Sequence, residues 1–442
     1  SDNQYKGYLK AIGSTFTSKD STKKWAGIVL NKYSDDTNII LDSCIISNAE
    51  IGLNIQESSP SITNNIFRNN INGIVANIHS EPIINGNSFI RNTIPVDLNG
   101  RNINGNISNN SYSNNVNEYI RVHGHEGDFL YLDQNKTYNW LKDGAPYYLD
   151  TEVRVKVNSI EGDNSISILN IESGTSVKVK ENNWITIGNN SIENERGALQ
   201  GEGVLFSSLD SSKRWNGIKI LRHSGDTSTF LNSCIIEYAS QGISIENASP
   251  TIKNNTFRNN IHGIYADDLE SRPIINGNSF NNNVTPVVLN AYSLDGNISN
   301  NFYSSNINEY IKVNGYNNNG DHVFLDQNKI YNWLKDGAPY YLDTEVRVEG
   351  NGTLAVLSIE SGTTIKVKEN TIIRIGDNQN EADQGALQAE GVLFSSLDSA
   401  KIWNGIWFTN NTDDAGTLLD SCIIEYANLG LLIDNASPTI IN

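Results

Sequence analysis

Methionine is absent from the 442 residues, cysteine occurs 3 times and proline 9 times. Basic side chains are also scarce, with 32 Lys and Arg against 50 Asp and Glu, a net charge of −18. That balance argues against nucleic acid or an anionic membrane surface as a partner, because both demand a basic face. No apolar run approaches the ~20 residues that cross a bilayer as a helix. No signal peptide is evident, and a chain that opens Ser-Asp without Met reads as a piece of a longer precursor. What is plentiful instead is asparagine, at 67 positions. The composition therefore argues against an α-helical domain.

Repeats organise the chain. Trp25, Trp215 and Trp403 each open Trp-x-Gly-Ile, and Cys44, Cys234 and Cys422 each sit in Ser-Cys-Ile-Ile. Tyr138–Val155 recurs unchanged as Tyr331–Val348. The chain thus reads as repeat 1 over 1–190, repeat 2 over 191–378, and the start of repeat 3 over 379–442. A shorter period lies inside. Asn65/Phe67, Asn87/Phe89 and Asn110/Tyr112 return at 22 and 23 residues, as do Asn255/Phe257, Asn278/Phe280 and Asn301/Tyr303 at 23. Alternating apolar residues between Asn and Gly turns indicate short strands. A strand set returning every 21–23 residues is one rung of a solenoid wound from parallel strands, with stacked Asn bonding from rung to rung. At ~4.8 Å per rung the whole would make a rod of roughly 90 Å. Asn115–Trp140 and Ile307–Trp333 read as an irregular excursion with one short helical turn.

These Asn-x-Phe and Ser-Cys-Ile-Ile rungs resemble the right-handed parallel β-helix repeats of pectate-lyase-like and NosD-like proteins. The stretch from Ile171-Glu-Ser-Gly-Thr through Gly197-Ala-Leu-Gln to Trp215-Asn-Gly-Ile is similar to entry rungs of large archaeal and bacterial surface proteins. The resemblance implies an all-β, right-handed parallel β-helix, a superfold that carries lyases, hydrolases, adhesins and inert scaffolds alike. Lyases of this kind use clustered carboxylates with calcium beside an Arg or Lys base.

The best acidic pair, Asp267-Asp268, is Asn77-Ile78 in repeat 1, and the six histidines (His79, His123, His125, His223, His262, His322) recur at no equivalent position. No cluster has metal-ligand spacing. The duplicated segment carries Asp143, Asp150 and Glu152, which are calcium candidates; the alternative is a charged, aromatic-lined strand entry. Tyr147 and Tyr148 point to opposite faces, so at most one is free to stack on a sugar. Each cysteine reads as a buried small hydrophobe at the ladder position, about eight rungs or roughly 40 Å from the next at ~4.8 Å per rung, too far for a disulfide. Sequons at Asn189, Asn351 and Asn410 are glycosylation candidates, whereas Asn109 and Asn254 are expected to point inward or pack tightly. The Trp row is expected to pack under rung corners.

The expectation is a non-enzymatic, extracellular structural protein. It would be an acidic repeat rod that associates with itself in a cell-surface layer, sheath or filament, with no cofactor beyond possible calcium. The alternative is a polysaccharide-binding or polysaccharide-cleaving protein, whose catalytic groove would be unique to one repeat.

Overall fold

The computed structural model describes residues 7–124, 129–158, 165–315 and 322–442; His125 lies outside them. Apart from two 3-10 turns, Gly100–Asn102 and Ala291–Ser293, the regular elements of the described residues are all strands. Two compact units form: Ser1–Ile218 with His223–Tyr238, and Lys219–Arg222 with Ala239–Asn442. Each is a parallel β-helix.

In the first unit, three strands make one turn of the coil. Ile40–Asp42 pairs in parallel with Ser61–Thr63, which pairs with Ile83–Asn85. Ile45–Ser47 pairs with Ile66–Arg68 and then Ser88–Ile90, forming a second face. Ile51–Ile55, Asn72–Ala76 and Ile94–Asn99 form the third. The register places like on like: Ile62 beside Ile84, Phe67 beside Phe89. Within these strands the middle residue is buried, and the stacked Ile, Leu, Val and Phe make a continuous core that no single rung could bury. Phe67, Phe89 and Tyr112 stack with ring centroids 5.2 Å apart. Phe257, Phe280 and Tyr303 do so in the second unit at 5.1 and 5.2 Å.

The corners explain the Asn-Asn pairs. Asn64, Asn109 and Asn254 hold φ of 57, 57 and 56°, a left-handed conformation that Asn tolerates better than most residues. The bend turns the next residue, Asn65, Asn110 or Asn255, inward. Asn109 and Asn254 therefore face solvent, contrary to the expectation that they point inward; the chain needs two asparagines there for different reasons. The Trp-x-Gly corners are equally specific. Trp25, Trp215 and Trp403 donate from Nε1 to the carbonyls of Ser47, Glu237 and Glu425 at 2.8, 2.9 and 2.9 Å. Gly27 sits at φ 102°, and a Cβ there would lie 1.6 Å from the Ile51 carbonyl oxygen, so only glycine fits.

Two expectations about rung length need correction. Rungs of 22–23 residues hold in the Asn-rich part, but Trp140 pairs with Ile171 and Ile171 with Gly201, spacings of 31 and 30. Longer surface turns between strands account for the difference. Asn115–Trp140 is not an excursion either: Ile120–His123, Phe129–Leu132 and Thr137–Trp140 are ordinary rung strands, with no helical turn among the described residues. One consequence is a rotation of the repeat. From Ile45–Ser47 to its counterpart Ile235–Glu237 there are twenty-two strand steps, seven turns of three and one strand over. Ile235–Glu237 accordingly pairs with Leu205–Ser208, on the face begun by Ile28–Leu30 rather than that of Ile45–Ser47. Cys44 and Cys234 are thus about seven rungs apart rather than eight, roughly 35 Å at ~4.8 Å per rung, still beyond disulfide reach.

Candidate functional site

The polar interior consists of two asparagine ladders in each unit. In the first, the backbone N–H of Cys44 donates to Asn65 Oδ1 at 2.9 Å, that of Asn65 to Asn87 Oδ1 at 2.9 Å, and that of Asn87 to Asn110 Oδ1 at 2.9 Å. Each amide nitrogen donates onward to the next Asn Oδ1 and back to a carbonyl of the rung before, as Asn87 Nδ2 does to Asn110 Oδ1 (3.1 Å) and Ile62 O (2.9 Å). Five residues further along each rung runs a second ladder, from Ala49 N through Asn70, Asn92 and Asn115. The second unit repeats both, through Asn255, Asn278 and Asn301 and through Asn260, Asn283 and Asn306. The ladder amides stay buried because their oxygens and nitrogens find partners from rung to rung.

A ladder has a last rung whose donors need an acceptor, and here the acceptor is a carboxylate. Asn110 donates from N to Asp143 Oδ1 (2.8 Å) and from Nδ2 to Asp143 Oδ2 (3.0 Å), and Tyr112 donates its hydroxyl to the same Oδ2 at 2.8 Å. Asp336 receives Asn301 and Tyr303 in the same way, at 2.7, 2.9 and 2.7 Å. Glu118 and Glu309 end the second ladders by accepting the N–H of Asn115 and Asn306. Burial, and after it the adjacent Asp143 carboxylate, hold the Tyr112 hydroxyl well above the usual phenol range. Gly144 is glycine because a Cβ would meet the Asn110 carbonyl oxygen at 2.3 Å, so Asp143 reaches its place only beside a residue without a side chain.

The other two calcium candidates lie in separate networks. Asp150 accepts from Arg121 Nε at 2.8 Å, and Arg121 also reaches Asp97 at 3.3 Å. Asp97 holds His123 Nδ1 at 2.7 Å. Glu152 takes Arg154 at 2.8 Å and the Thr186 hydroxyl at 3.2 Å, while the Arg154 guanidinium lies 3.6 Å from the Phe129 ring centroid. Asp143, Asp150 and Glu152 are thus each engaged by protein donors and are not brought together. Among the described residues no group of three or more His, Cys, Asp or Glu is disposed to hold a metal ion. Tyr147 is buried, its hydroxyl donating to Leu141 O, and Tyr148 packs on Tyr119 with centroids 4.6 Å apart.

The clefts differ between units. The second unit has an open one of about 630 Å³ lined by Asp267, Lys312, His322, Asp343, Glu345 and Lys368, among others. Asp267 accepts from Asn314 Nδ2 at 2.9 Å and from the Tyr265 hydroxyl at 3.0 Å, and burial pushes its carboxyl above the usual range. Its sequence neighbour Asp268 instead caps a turn through the N–H groups of Glu270 and Ser271, so the pair does not act as one acidic site. Burial lowers the His262 imidazole below its ordinary value. His123 lines a smaller cleft in the first unit, about 390 Å³, with Glu57, Asn77 and Asn99.

Of the sequon residues, Asn351 and Asn410 are exposed, whereas Asn189 is half-buried and donates its amide to Glu195 Oε2. Cys44 and Cys234 are buried and Cys422 partly exposed; all are free thiols. Burial pushes the Cys234 thiol up to about 11. The neutral form therefore dominates at pH 8, and thiolate appears only as pH rises toward 11 or the rung unfolds. Iodoacetamide at pH 8 is expected to label Cys422 first and to leave Cys44 and Cys234 unlabelled until denaturant is added. Peptide mass mapping over time checks this, and rapid native labelling of Cys234 would contradict the placement.

Sequence reasoning anticipated the first ladder. It missed the second, although Asn70, Asn92 and Asn115 each follow a first-ladder Asn by five residues, and it missed the carboxylate ends, which lie outside the 22–23-residue period. No protein-family model, curated protein or solved structure matches the chain.

Proposed function

We propose that this chain is a non-enzymatic structural protein of an extracellular surface layer, sheath or filament, akin to the pectate-lyase-like and NosD-like β-helices, that associates with copies of itself. One observation carries the reading. The segment kept identical between repeats, Tyr138–Val155 and Tyr331–Val348, spends its first acidic residue on ending an asparagine ladder in both units. What is duplicated is the means of holding rungs together, whereas the cleft residues differ: Asn77 and His123 against Asp267 and Asn314. Self-association is favoured by apolar residues at one repeated place. Val116 and Ile307, each 77% exposed, directly follow the last Asn of the second ladder, and Ile71 and Ile261 hold the same position two rungs earlier. An acidic surface with exposed sequons at Asn351 and Asn410 suits a hydrated exterior.

Negative-stain electron microscopy of the native material at neutral pH, with and without EGTA, tests this. Filaments or sheets are expected in both conditions, because the oxygens of Asp143 are already satisfied within the fold. Monodisperse particles in both would overturn the proposal. Polysaccharide binding or cleavage is the second reading, favoured by the cleft around Asp267 and His322. Depolymerisation of an acidic polysaccharide, lost in D267N, would replace the structural reading with it.

A further inference from the structure

Where repeat 1 passes into repeat 2, three side chains of complementary chemistry meet. Lys156 Nζ and Asn189 Nδ2 both donate to the same oxygen, Glu195 Oε2. Glu195 is 8% exposed, and the Lys156 side chain 20%. Two donors on one acceptor oxygen are near neighbours by the geometry of hydrogen bonding alone. Asn189 Oδ1 is held as well, accepting the Ser191 backbone N–H at 2.8 Å. The strands bring them there: Val155 pairs with Ile187, so Lys156 and Asn189 leave adjacent rungs side by side, and Glu195 directly precedes the strand Arg196–Glu202.

We propose that Lys156 and Asn189 form a side-chain amide bond, with Glu195 as the proton carrier. The Glu195 carboxylate takes a proton from the Lys156 ammonium, and the neutral amine attacks Asn189 Cγ. Negative charge then develops on Asn189 Oδ1, where the Ser191 N–H already points. The protonated Glu195 returns the proton to the departing amide nitrogen, and the tetrahedral centre collapses. One C–N bond forms and one breaks, and nothing is oxidised or reduced; of the two protons Lys156 gives up, one turns the departing NH2 into ammonia by way of Glu195, and the other, released from the attacking nitrogen as the centre collapses, leaves with it as ammonium. Fixed neighbours replace a bimolecular encounter.

The passage from repeat 2 into repeat 3 shows what the same place does without these groups. Glu349, Asp377 and Asp383 stand where the first junction has Lys156, Asn189 and Glu195. There Arg374 pairs with Glu349 and lies 3.6 Å from Asp377. Ion pairs hold that junction; of the two, the first alone carries amine, amide and acid together. The bond would close a loop of 34 residues, 156–189, and would exclude a glycan at Asn189.

Intact mass spectrometry of the full chain tests the proposal. The mass is expected to fall about 17 Da below that of the sequence, the loss of one ammonia. Digestion should yield a branched peptide joining Lys156 to Asn189. K156R keeps the charge on Glu195 and E195Q keeps the shape; both are expected to restore the full mass. A succinimide at Asn189-Asn190 also loses ammonia, but it would persist in K156R and give no branched peptide, which would overturn the proposal. So would an unshifted mass in the unaltered chain. A shift retained in E195Q would remove Glu195 as the proton carrier.

Discussion

Replacing Asn87 with alanine is expected to destabilise the first unit by about 3–9 kcal/mol, from the ~1–3 kcal/mol cost of each buried polar group left without a partner. The substitution strands the Asn65 N–H, one hydrogen of Asn65 Nδ2 and the Ile62 carbonyl, all of which Asn87 satisfies now. Asn87 is fully buried, so water cannot take its place without opening the rung. Domains have total stabilities of about 5–15 kcal/mol, so a loss of this size removes a large share of the margin. Asn109, two residues before the next rung's β-strand, makes the contrast. It is exposed and left-handed, and Asn109→Gly is expected to shift stability by no more than about 0.5 kcal/mol in either direction, because glycine takes that backbone freely. Urea unfolding of both variants decides the matter. If Asn87→Ala costs no more than Asn109→Gly, the ladder is ornamental and stability resides in the apolar column alone.

The two positions also show how far a sequence can be read. Period and alternation reveal a solenoid because each rung solves the same packing problem, so Ile62 and Ile84, or Phe67 and Phe89, must recur in step. The period does not reveal which Asn of a pair turns inward. That depends on the left-handed residue before it, and Asn64 and Asn65 are alike as letters but opposite in environment. Rung length failed for a related reason. Between Trp140 and Ile171 the strands keep their pairing while the surface turns lengthen, and turns carry no pattern that fixes their length. The one-strand advance of the repeat, visible in Ile235–Glu237, follows from strand number and leaves no trace in spacing.

The candidate site was legible in composition but not in arrangement. Asp143, Asp150 and Glu152 stood out because they recur together, and proximity in sequence suggested a shared ligand. Strand geometry separates them. Asp143 turns toward the interior at a corner, Asp150 meets Arg121 from the adjacent rung, and Glu152 faces Arg154 two residues along its own strand. Lys156, Asn189 and Glu195 were invisible as a group for the converse reason: they are scattered over 39 positions in the chain and are brought together only by two rungs closing on each other.

Asp143 itself gives the second large effect and separates a structural carboxylate from a metal ligand. Asp143→Ala leaves the Asn110 N–H, one Asn110 Nδ2 hydrogen and the Tyr112 hydroxyl without an acceptor; as hydrogen bonds to a charged group contribute about 1.5–3 kcal/mol each, a loss of roughly 4.5–9 kcal/mol is expected. Asp143→Asn is expected to cost only about 1–2 kcal/mol, because its carbonyl still accepts the Asn110 N–H and the Tyr112 hydroxyl can turn to accept from the new amide. A calcium ligand would behave otherwise. In that case EGTA would lower the unfolding midpoint of the unaltered chain, and the two substitutions would abolish that sensitivity equally, since a neutral amide is a poor replacement for a carboxylate at calcium. Thermal unfolding of the three proteins, with and without EGTA, distinguishes the cases. A ladder end gives a graded loss from Asn to Ala and no response to chelation. A midpoint that falls with EGTA only while Asp143 is present would return this residue to a metal site and make its bond to Asn110 secondary.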